Sequence, residues 1–343
     1  MIVVSGATGF LGAYMVCHLL EKGKQVKALR RPVSSTREFN TIFNHCFESL
    51  PDSEKSTVLK RLEWVNADVL DIVSLEEAMT GADEVYHCAA IVSFQQKHKK
   101  RLMQVNVEGT TNMVNAALHM GIKRFCHVSS TAALGREHSG DHMDEKSKWL
   151  TSSLNTNYAI SKHKAEVEVW RGMEEGLNAV IVNPGVILGA GDWNKGSCKL
   201  FTLPWKNFPF YTTGINGYVD VRDVASAMYQ LMQTESASGQ RYVLVSNNMN
   251  MEFFMHTAAA WMNKTKARFR VKPWMAEVAW MLFAVKQLIT GKEASITRET
   301  ARASMNHYYY SSAKILTQTG FTFIPIEETL QYICQKFIKD QRR

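Results

Sequence analysis

The segment Val3-Val4-Ser5-Gly6-Ala7-Thr8-Gly9-Phe10-Leu11-Gly12 constrains this chain more than any other. A short apolar run, Ile2 to Val4, reads as a strand, and glycines follow at 6, 9 and 12. Leu11, Met15, Leu19 and Leu20 then recur at helical spacing up to a stop at Gly23. Strand, glycine turn and helix N-terminus in that order build a site for a pyrophosphate. The free amides of the turn and the helix dipole both favour an anion, and glycine lets the backbone come close to it. Gly6, Thr8, Gly9, Phe10, Leu11 and Gly12 are therefore candidate contacts to a dinucleotide.

A chain of 343 residues holds one large or two medium domains, and 45% hydrophobic with 21% charged residues describes an ordinary soluble globular protein. The net charge of +8 suits an anionic ligand such as a phosphorylated cofactor. The basic residues are scattered and form no nucleic-acid module, so no nucleic-acid partner is expected. The first strand starts at Met1–Ile2, with no room for a signal peptide, and the six cysteines lack C-x-x-C spacing. Reduced, buried thiols in a cytoplasmic protein are expected. Val278 to Val285 is wholly apolar between Glu277 and Lys286 but too short to span a bilayer. It reads as a buried helix or as a subunit contact in a homodimer in preference to a membrane anchor.

Along the chain, Gln25–Leu29 reads as the second strand and completes a βαβ start. Where an NAD site usually carries an acid, this chain has Arg30-Arg31-Pro32, and an arginine pair suits the 2′-phosphate of NADP, with Arg31 the favoured contact. Residues 35–60 read as a polar, helical excursion on the surface. Leu62–Asn66 is a third strand, ending in Ala67-Asp68-Val69, and Glu84–Cys88 a fourth, running into Ala89-Ala90. Lys97 to Arg101 reads as a solvated helix face. Asn106 opens a helix to His119, and Arg124–Val128 is a fifth strand delivering Ser129-Ser130-Thr131 at its C-terminal end, where open α/β sheets place ligands. His138, Asp141, His142, Asp144 and Glu145 share a polar loop without metal-ligand spacing, so no metal is expected. Tyr158–Arg171 is a helix, Ala179–Asn183 a sixth strand ending in Pro184-Gly185, and Arg241–Val245 a seventh. Trp193, Trp205, Phe208, Phe210 and Tyr211 crowd a stretch that reads as substrate-facing or lid-like, and the last hundred residues are mostly helical.

Tyr158 and Lys162 stand four apart on one helix and share a face. A free tyrosine, with a pKa of about 10, is a poor acid–base catalyst near neutrality, and a nearby ammonium is expected to pull that value down. The pair follows a strand-end serine and a run of alternating strands and helices.

Glycine turn, Asp68-Val69, Ala89-Ala90, Asn106-Val-Glu-Gly-Thr, Ser129-Ser130, Tyr158-x-x-x-Lys162 and Asn183-Pro184-Gly185 together resemble an extended short-chain dehydrogenase/reductase of the NAD-dependent epimerase/dehydratase family. Tyr310-Ser311-Ser312-Ala313-Lys314, Gly320-Phe321 and Pro325-Ile326-Glu327-Glu328 are similar to the tail of its dihydroflavonol-reductase and 3β-hydroxysteroid-dehydrogenase branch. The resemblance implies an α/β fold: a Rossmann-type, doubly wound parallel sheet with a smaller, mostly helical substrate domain. Residues 1–183 with 217–246 would bind the dinucleotide, and 184–216 with 247–343 the substrate. It implies Gly6, Gly9, Phe10 and Leu11 around the pyrophosphate, Asp68 and Val69 at the adenine, and Ala89 with Ala90 along the ribose–nicotinamide path. Pro184, Gly185, Val186 and Ile187 would meet the nicotinamide. Ser130, Tyr158 and Lys162 would be catalytic, with Lys162 also on the nicotinamide ribose and Asn106 in a positioning place. The expected activity is NADP-dependent reduction (NAD possible) of a ketone or aldehyde on a fairly apolar small molecule, with tyrosine as proton donor. A sugar-nucleotide epimerase or dehydratase retaining NAD, or a non-catalytic dinucleotide sensor, are the alternatives. Ala190-Gly191-Asp192-Trp193 lacks the arginine-bearing motif of nucleotide-sugar epimerases.

Overall fold

The chain alternates strand and helix from its start. In the computed structural model, which describes residues 1–135, 142–152, 155–290 and 297–342, β1 (Ile2–Ser5) feeds α1 (Phe10–Glu21), and β2 (Val26–Arg30) feeds α2 (Arg37–Cys46) and α3 (Asp52–Leu59). β3 (Leu62–Asn66), α4 (Ile72–Met79) and β4 (Glu84–His87) follow. Then come α5 (Lys99–Leu102), a π-helical turn over Met103–Glu108, α6 (Gly109–His119), β5 (Arg124–Val128), α7 (Asn157–Glu174) and β6 (Ala179–Pro184). The strands are short runs rich in branched residues, and β1 and β6 are buried along their whole length, as strands covered on both faces must be.

Beyond Gly185 the elements shorten. β7 (Val186–Leu188), α8 (Thr202–Trp205), β8 (Phe210–Tyr211) and β9 (Ile215–Asp220) lead into α9 (Val221–Gln233) and β10 (Gln240–Leu244). β11 (Asn247–Asn250), α10 (Met251–Trp261) and β12 (Phe269–Arg270) precede four helices: α11 (Pro273–Thr290), α12 (Arg298–Ala303), α13 (Ala313–Thr319) and α14 (Ile326–Gln341).

Seven strands form one parallel sheet in the order β10-β6-β5-β4-β1-β2-β3. The order reverses between β4 and β1, which opens a crevice at the carboxyl ends of those strands. Both faces are covered. Tyr14, Met15, Phe39, Ile42, Val224 and Met228 of α1, α2 and α9 pack on one. Leu75, Met79, Met113, Val114 and Val169 of α4, α6 and α7 pack on the other. A small sheet, β11-β9-β7, lies beyond the crevice, and Leu188, Phe201, Phe254, Leu330 and Phe337 form a third core there.

Three expectations are corrected. The stretch 35–60 is not a mere surface excursion: Phe39, Ile42 and Phe43 are buried against α1, and Phe39 meets Trp64 edge-on at 5.0 Å. In the aromatic stretch the rings pack on one another and on α14, and it is Gly196, Ser197 and Leu200 between them that line the crevice. Trp193 is buried against Phe337 (4.8 Å), Trp205 also packs on Phe337, and Phe208 and Phe210 meet each other. Val278–Val285 lies on a helix but is not buried, since Val278, Met281, Leu282 and Val285 are all exposed.

The end of β1 is tied to the rest of the sheet through a buried histidine. His87 Nδ1 lies 2.7 Å from Ser5 Oγ, and His87 Nε2 lies 3.0 Å from Thr110 Oγ1. Thr110 itself donates to the Asn106 carbonyl at 2.6 Å, so the imidazole donates from Nε2 and accepts the Ser5 hydroxyl at Nδ1. Burial pushes His87 down to about 3, and the charge of Lys162 acts in the same direction. Its contribution to stability is complete above the unfolded value near 6.5 and is lost as pH falls toward 3. His87→Gln keeps one donor and one acceptor without a titrating ring. Between pH 7.5 and pH 4.5, the urea midpoint of this variant should fall less than that of the unmodified protein.

Candidate active site

The crevice at the strand reversal opens into a cavity of about 1020 Å³. Gly6, Thr8, Gly9, Phe10, Leu11 and Gly12 line part of its wall, as the sequence predicts. Here the backbone leaves room for nothing but glycine: Gly6 has φ of +69°, and a Cβ on it would sit 2.7 Å from the Ala89 nitrogen. A Cβ on Gly12 would collide with the Gly6 carbonyl. The turn closes with Gly9 N–H donating to Gly6 O at 2.9 Å. Helix α1 starts with no side-chain cap and no acid in its first turn, so its leading amides face the cavity without a competing anion. A dinucleotide pyrophosphate fits this cradle.

The other predicted contacts follow round the wall. Arg30, at the end of β2, lies 5.9 Å above Trp64 and donates to Asn66 Oδ1 at 3.3 Å. Arg31 is exposed and held only by Ser34 Oγ at 3.4 Å among the described residues. Asp68 Oδ1 accepts the Leu70 amide at 3.0 Å, which folds the turn that presents Val69. Ala89, Ala90, Ser130, Tyr158, Lys162, Pro184, Gly185, Val186 and Ile187 complete the predicted set on the wall. Asn106 does not reach the wall. It is buried, accepts the Ile91 amide at 2.7 Å, and donates to the Ile91 carbonyl (3.0 Å) and Ser161 Oγ (2.9 Å). It therefore acts on the wall by clamping the strand of chain that leads from Ala90 to Phe94.

Tyr158 sits in the first turn of α7, capped by Thr156, whose hydroxyl accepts the Ala159 amide at 3.1 Å. Its own value is raised, not lowered: burial favours the neutral phenol, and a hydrogen bond with Ser130 only partly opposes that. The Lys162 ammonium is engaged elsewhere, donating to the Val128 carbonyl at 2.7 Å. Burial lowers Lys162 to about 8, with the charge of Glu166 holding it up against that burial.

Glu166 is the residue that sequence reasoning missed. Its carboxylate is buried and accepts from Ser129 Oγ (2.7 Å), Asn183 Nδ2 (2.8 Å), Arg241 (3.0 Å) and Trp170 Nε1 (3.4 Å). Asn183 also donates to the Ser130 carbonyl at 3.0 Å. The signal was present in the spacing: 158, 162 and 166 are successive i,i+4 positions on one helix face. Arg101, the last member of the basic run, also lines the cavity. So do Asn216, Met251, Thr300, Ser304 and Tyr308, which belong to no motif quoted from the sequence, and Tyr310, which opens the tail motif.

Of the polar loop, His138 and Asp141 lie outside the described residues. His142 stands 5.6 Å from Tyr309, Asp144 accepts the Lys146 amide (2.8 Å), and Glu145 accepts the Val243 amide (2.8 Å). Among the described residues, no group of His, Cys, Asp or Glu could hold a metal. None of their helices is long and apolar enough to cross a membrane. Removing one member of a buried ionic cluster leaves the others uncompensated. Glu166→Gln should therefore destabilise the fold by about 3–5 kcal/mol in urea unfolding at neutral pH.

Comparison with known proteins agrees with this geometry. Residues 2–244 match the model of the NAD dependent epimerase/dehydratase family. A Synechocystis protein provisionally named dihydroflavonol 4-reductase is 30% identical over 334 residues, covering 95% of this chain and 91% of its own. Cinnamoyl-CoA reductase 1 of Petunia hybrida is 29% identical over 250 residues, 70% of this chain and 71% of its own. The crystal structure of gox2253 superposes with a TM-score of 0.80 at 26% identity, covering 100% of this chain and 99% of that one. With its parallel sheet, glycine cradle and reductase relatives, the chain belongs to the NAD-dependent epimerase/dehydratase family of extended short-chain dehydrogenases/reductases and is an NAD(P)-dependent oxidoreductase.

Proposed function

We propose that the protein is an NADPH-dependent reductase of a ketone or aldehyde on a fairly apolar small molecule. Residues 1–183 with 217–246 hold the cofactor, and residues 184–216 with 247–343 hold the substrate. The observation that carries this reading is the distribution of charge on the cavity wall. Among the described residues its charged members are Arg30, Arg31, Asp68, Arg101 and Lys162, and every described wall residue after Lys162 in the sequence is uncharged. Leu200, Ile215, Met251, Tyr308 and Tyr310 supply the bulk of that uncharged part, with Phe94 edge-on to Tyr158 at 5.8 Å. A phosphorylated or sugar-nucleotide substrate would find no cation there.

The glycine turn and the amides of α1 hold the pyrophosphate, Asp68 and Val69 the adenine, and Lys162 the nicotinamide ribose. Ala89, Ala90, Pro184, Gly185, Val186 and Ile187 shape the nicotinamide's place. When bound, the reduced nicotinamide supplies a hydride to the carbonyl carbon. Ser130 and Tyr158 donate to the carbonyl oxygen and favour the charge that grows there. Tyr158, kept protonated by burial, delivers the proton, and Lys162 carries the positive charge below its value of about 8.

Relatives named as reductases of dihydroflavonol and cinnamoyl-CoA make panels of aromatic and alicyclic carbonyls the first substrates to test. With any substrate so found, Tyr158→Phe should lower turnover by about 10²–10⁴-fold while NADPH affinity changes only a few-fold. Full activity in that variant removes Tyr158 from the mechanism. In calorimetric titration NADPH should bind more tightly than NADH by about 1.5–3 kcal/mol, the worth of a hydrogen bond to a charged group. Arg31→Ala should remove most of that difference and leave NADH binding nearly unchanged. Equal affinities in the unmodified protein would refute the assignment to NADPH.

A further inference from the structure

Helix α11 carries an apolar stripe that the fold leaves uncovered. Trp274, Val278, Met281, Leu282, Val285 and Ile289 all fall within an arc of about 100° at 3.6 residues per turn. They are exposed, Trp274 by 64%, Leu282 by 65% and Ile289 by 79%. The opposite face is the one that packs, through Ala276, Trp280 and Glu277. The Glu277 carboxylate accepts from Trp280 Nε1 at 2.6 Å and from Arg302 of α12 at 2.9 Å. The stripe is therefore surplus to the packing of the chain, and apolar patches of this size on a soluble protein mark a contact.

The charge around it says with what. From Lys264 to Thr290 the sequence holds Lys264, Lys266, Arg268, Arg270, Lys272 and Lys286 against one carboxylate, Glu277, which is paired with Arg302 at the surface. Of these cations all but Lys264 are exposed, and between them Phe269 is 57% exposed on β12. Trp and Phe at the edges of an apolar helix face, with lysine and arginine around it and no free acid, is the composition of a helix lying in a bilayer interface. Pairing two copies through this face would double the unneutralised positive charge at one contact, whereas anionic headgroups neutralise it.

We propose that α11, with the basic segment 264–272, seats this protein on the surface of an anionic lipid bilayer, without crossing it. The location also has a consequence for the cavity. Helix α12, against which α11 packs, gives Thr300, Ala303 and Ser304 to the cavity wall, so the seated face lies one helix away from the uncharged end. The seating itself stands whether or not the reductase reading does.

The test is co-sedimentation of the full chain with vesicles. Protein should pellet with phosphatidylcholine vesicles containing phosphatidylglycerol, stay in the supernatant with phosphatidylcholine alone, and be released as salt rises. Each cation replaced among Lys266, Arg268 and Arg270 by alanine should weaken partitioning about five-fold. Leu282→Asp with Ile289→Asp, both on exposed positions, should abolish it while leaving the thermal unfolding midpoint unchanged. Three results overturn the proposal. One is no pelleting of the unmodified protein with anionic vesicles. Another is undiminished pelleting of the double variant. The third is a dimer in sedimentation equilibrium that the double variant dissociates and vesicles do not compete with.

Discussion

The buried carboxylate of Glu166 is the point on which the geometry of this molecule turns. It draws one donor from the end of β5, one from β6, one from β10 and one from its own helix, so three strands and α7 share a single ion. An anion removed from water is costly unless its oxygens are saturated, and here they are, with two cations, Arg241 and Lys162, close enough to act on it or be acted on by it. Apolar packing alone would hold α7 against the sheet but tolerate small slides along it. Directed bonds at 2.7 to 3.0 Å do not. Tyr158 lies eight residues upstream, roughly 12 Å along the helix axis, so its place opposite Ser130 is inherited from this anchor.

The second constraint is a relay of neutral groups that reaches the same cavity from the other side. Ala89 N–H donates to Ser5 Oγ (3.3 Å), Ser5 to His87, His87 to Thr110, and Thr110 to the Asn106 carbonyl. Asn106 then closes on Ile91 and Ser161, and so joins β1, β4, the π-helical turn and α7. The wall segment that follows Ala90 is a loop with no regular ladder of its own, and these side-chain bonds take the ladder's place. The same loop carries Phe94 to the Tyr158 ring. A glycine turn that admits a pyrophosphate, and a loop that borders the reacting end, are thus held by one string of bonds.

How much of this the sequence disclosed follows from how local each cause is. The alternation of strand and helix, the glycine cradle and the Tyr158–Lys162 pair depend on residues within a turn or two of each other, and all of them stand where the pattern put them. The second strand runs Val26–Arg30, one residue on from its expected place, which leaves Arg30 paired in the sheet and Arg31 at the open edge. Causes that join distant residues were hidden. Arg241 and Glu166 are 75 residues apart, and nothing in either neighbourhood announces the other. Helix α2 looked polar because only three of its ten residues are buried, yet those three are Phe39, Ile42 and Phe43. The aromatic run from Trp193 to Tyr211 misled for the opposite reason: its bulk fills the third core, and the cavity takes Thr212, Gly214 and Ile215 just after it. For Tyr158 the sequence supplied the right neighbour and the wrong sign, since i,i+4 spacing says that two side chains share a face but not that the ammonium points at the phenol.

That sign bears on direction. A tyrosine whose value is pulled down is suited to take a proton from an alcohol, while one held neutral is suited to give a proton to a carbonyl. Burial at this position favours the neutral form. Phe94 stands 5.8 Å from the Tyr158 ring, and Tyr308 and Tyr310 of the tail line the same cavity. Low polarity at this end of the cavity thus bears directly on the protonation of Tyr158. The charged end is separated from it by sequence as well as by space. Arg30, Arg31 and Asp68 come from the first βαβ unit and the loop after β3, Arg101 from α5 and Lys162 from α7, while the apolar end is assembled from short elements after β6. The loss of regular alternation beyond Gly185 therefore lets short elements of the second half bring uncharged side chains such as Ile215, Met251, Tyr308 and Tyr310 to the cavity, while the first half keeps the regular strand, glycine turn and helix that form its other side.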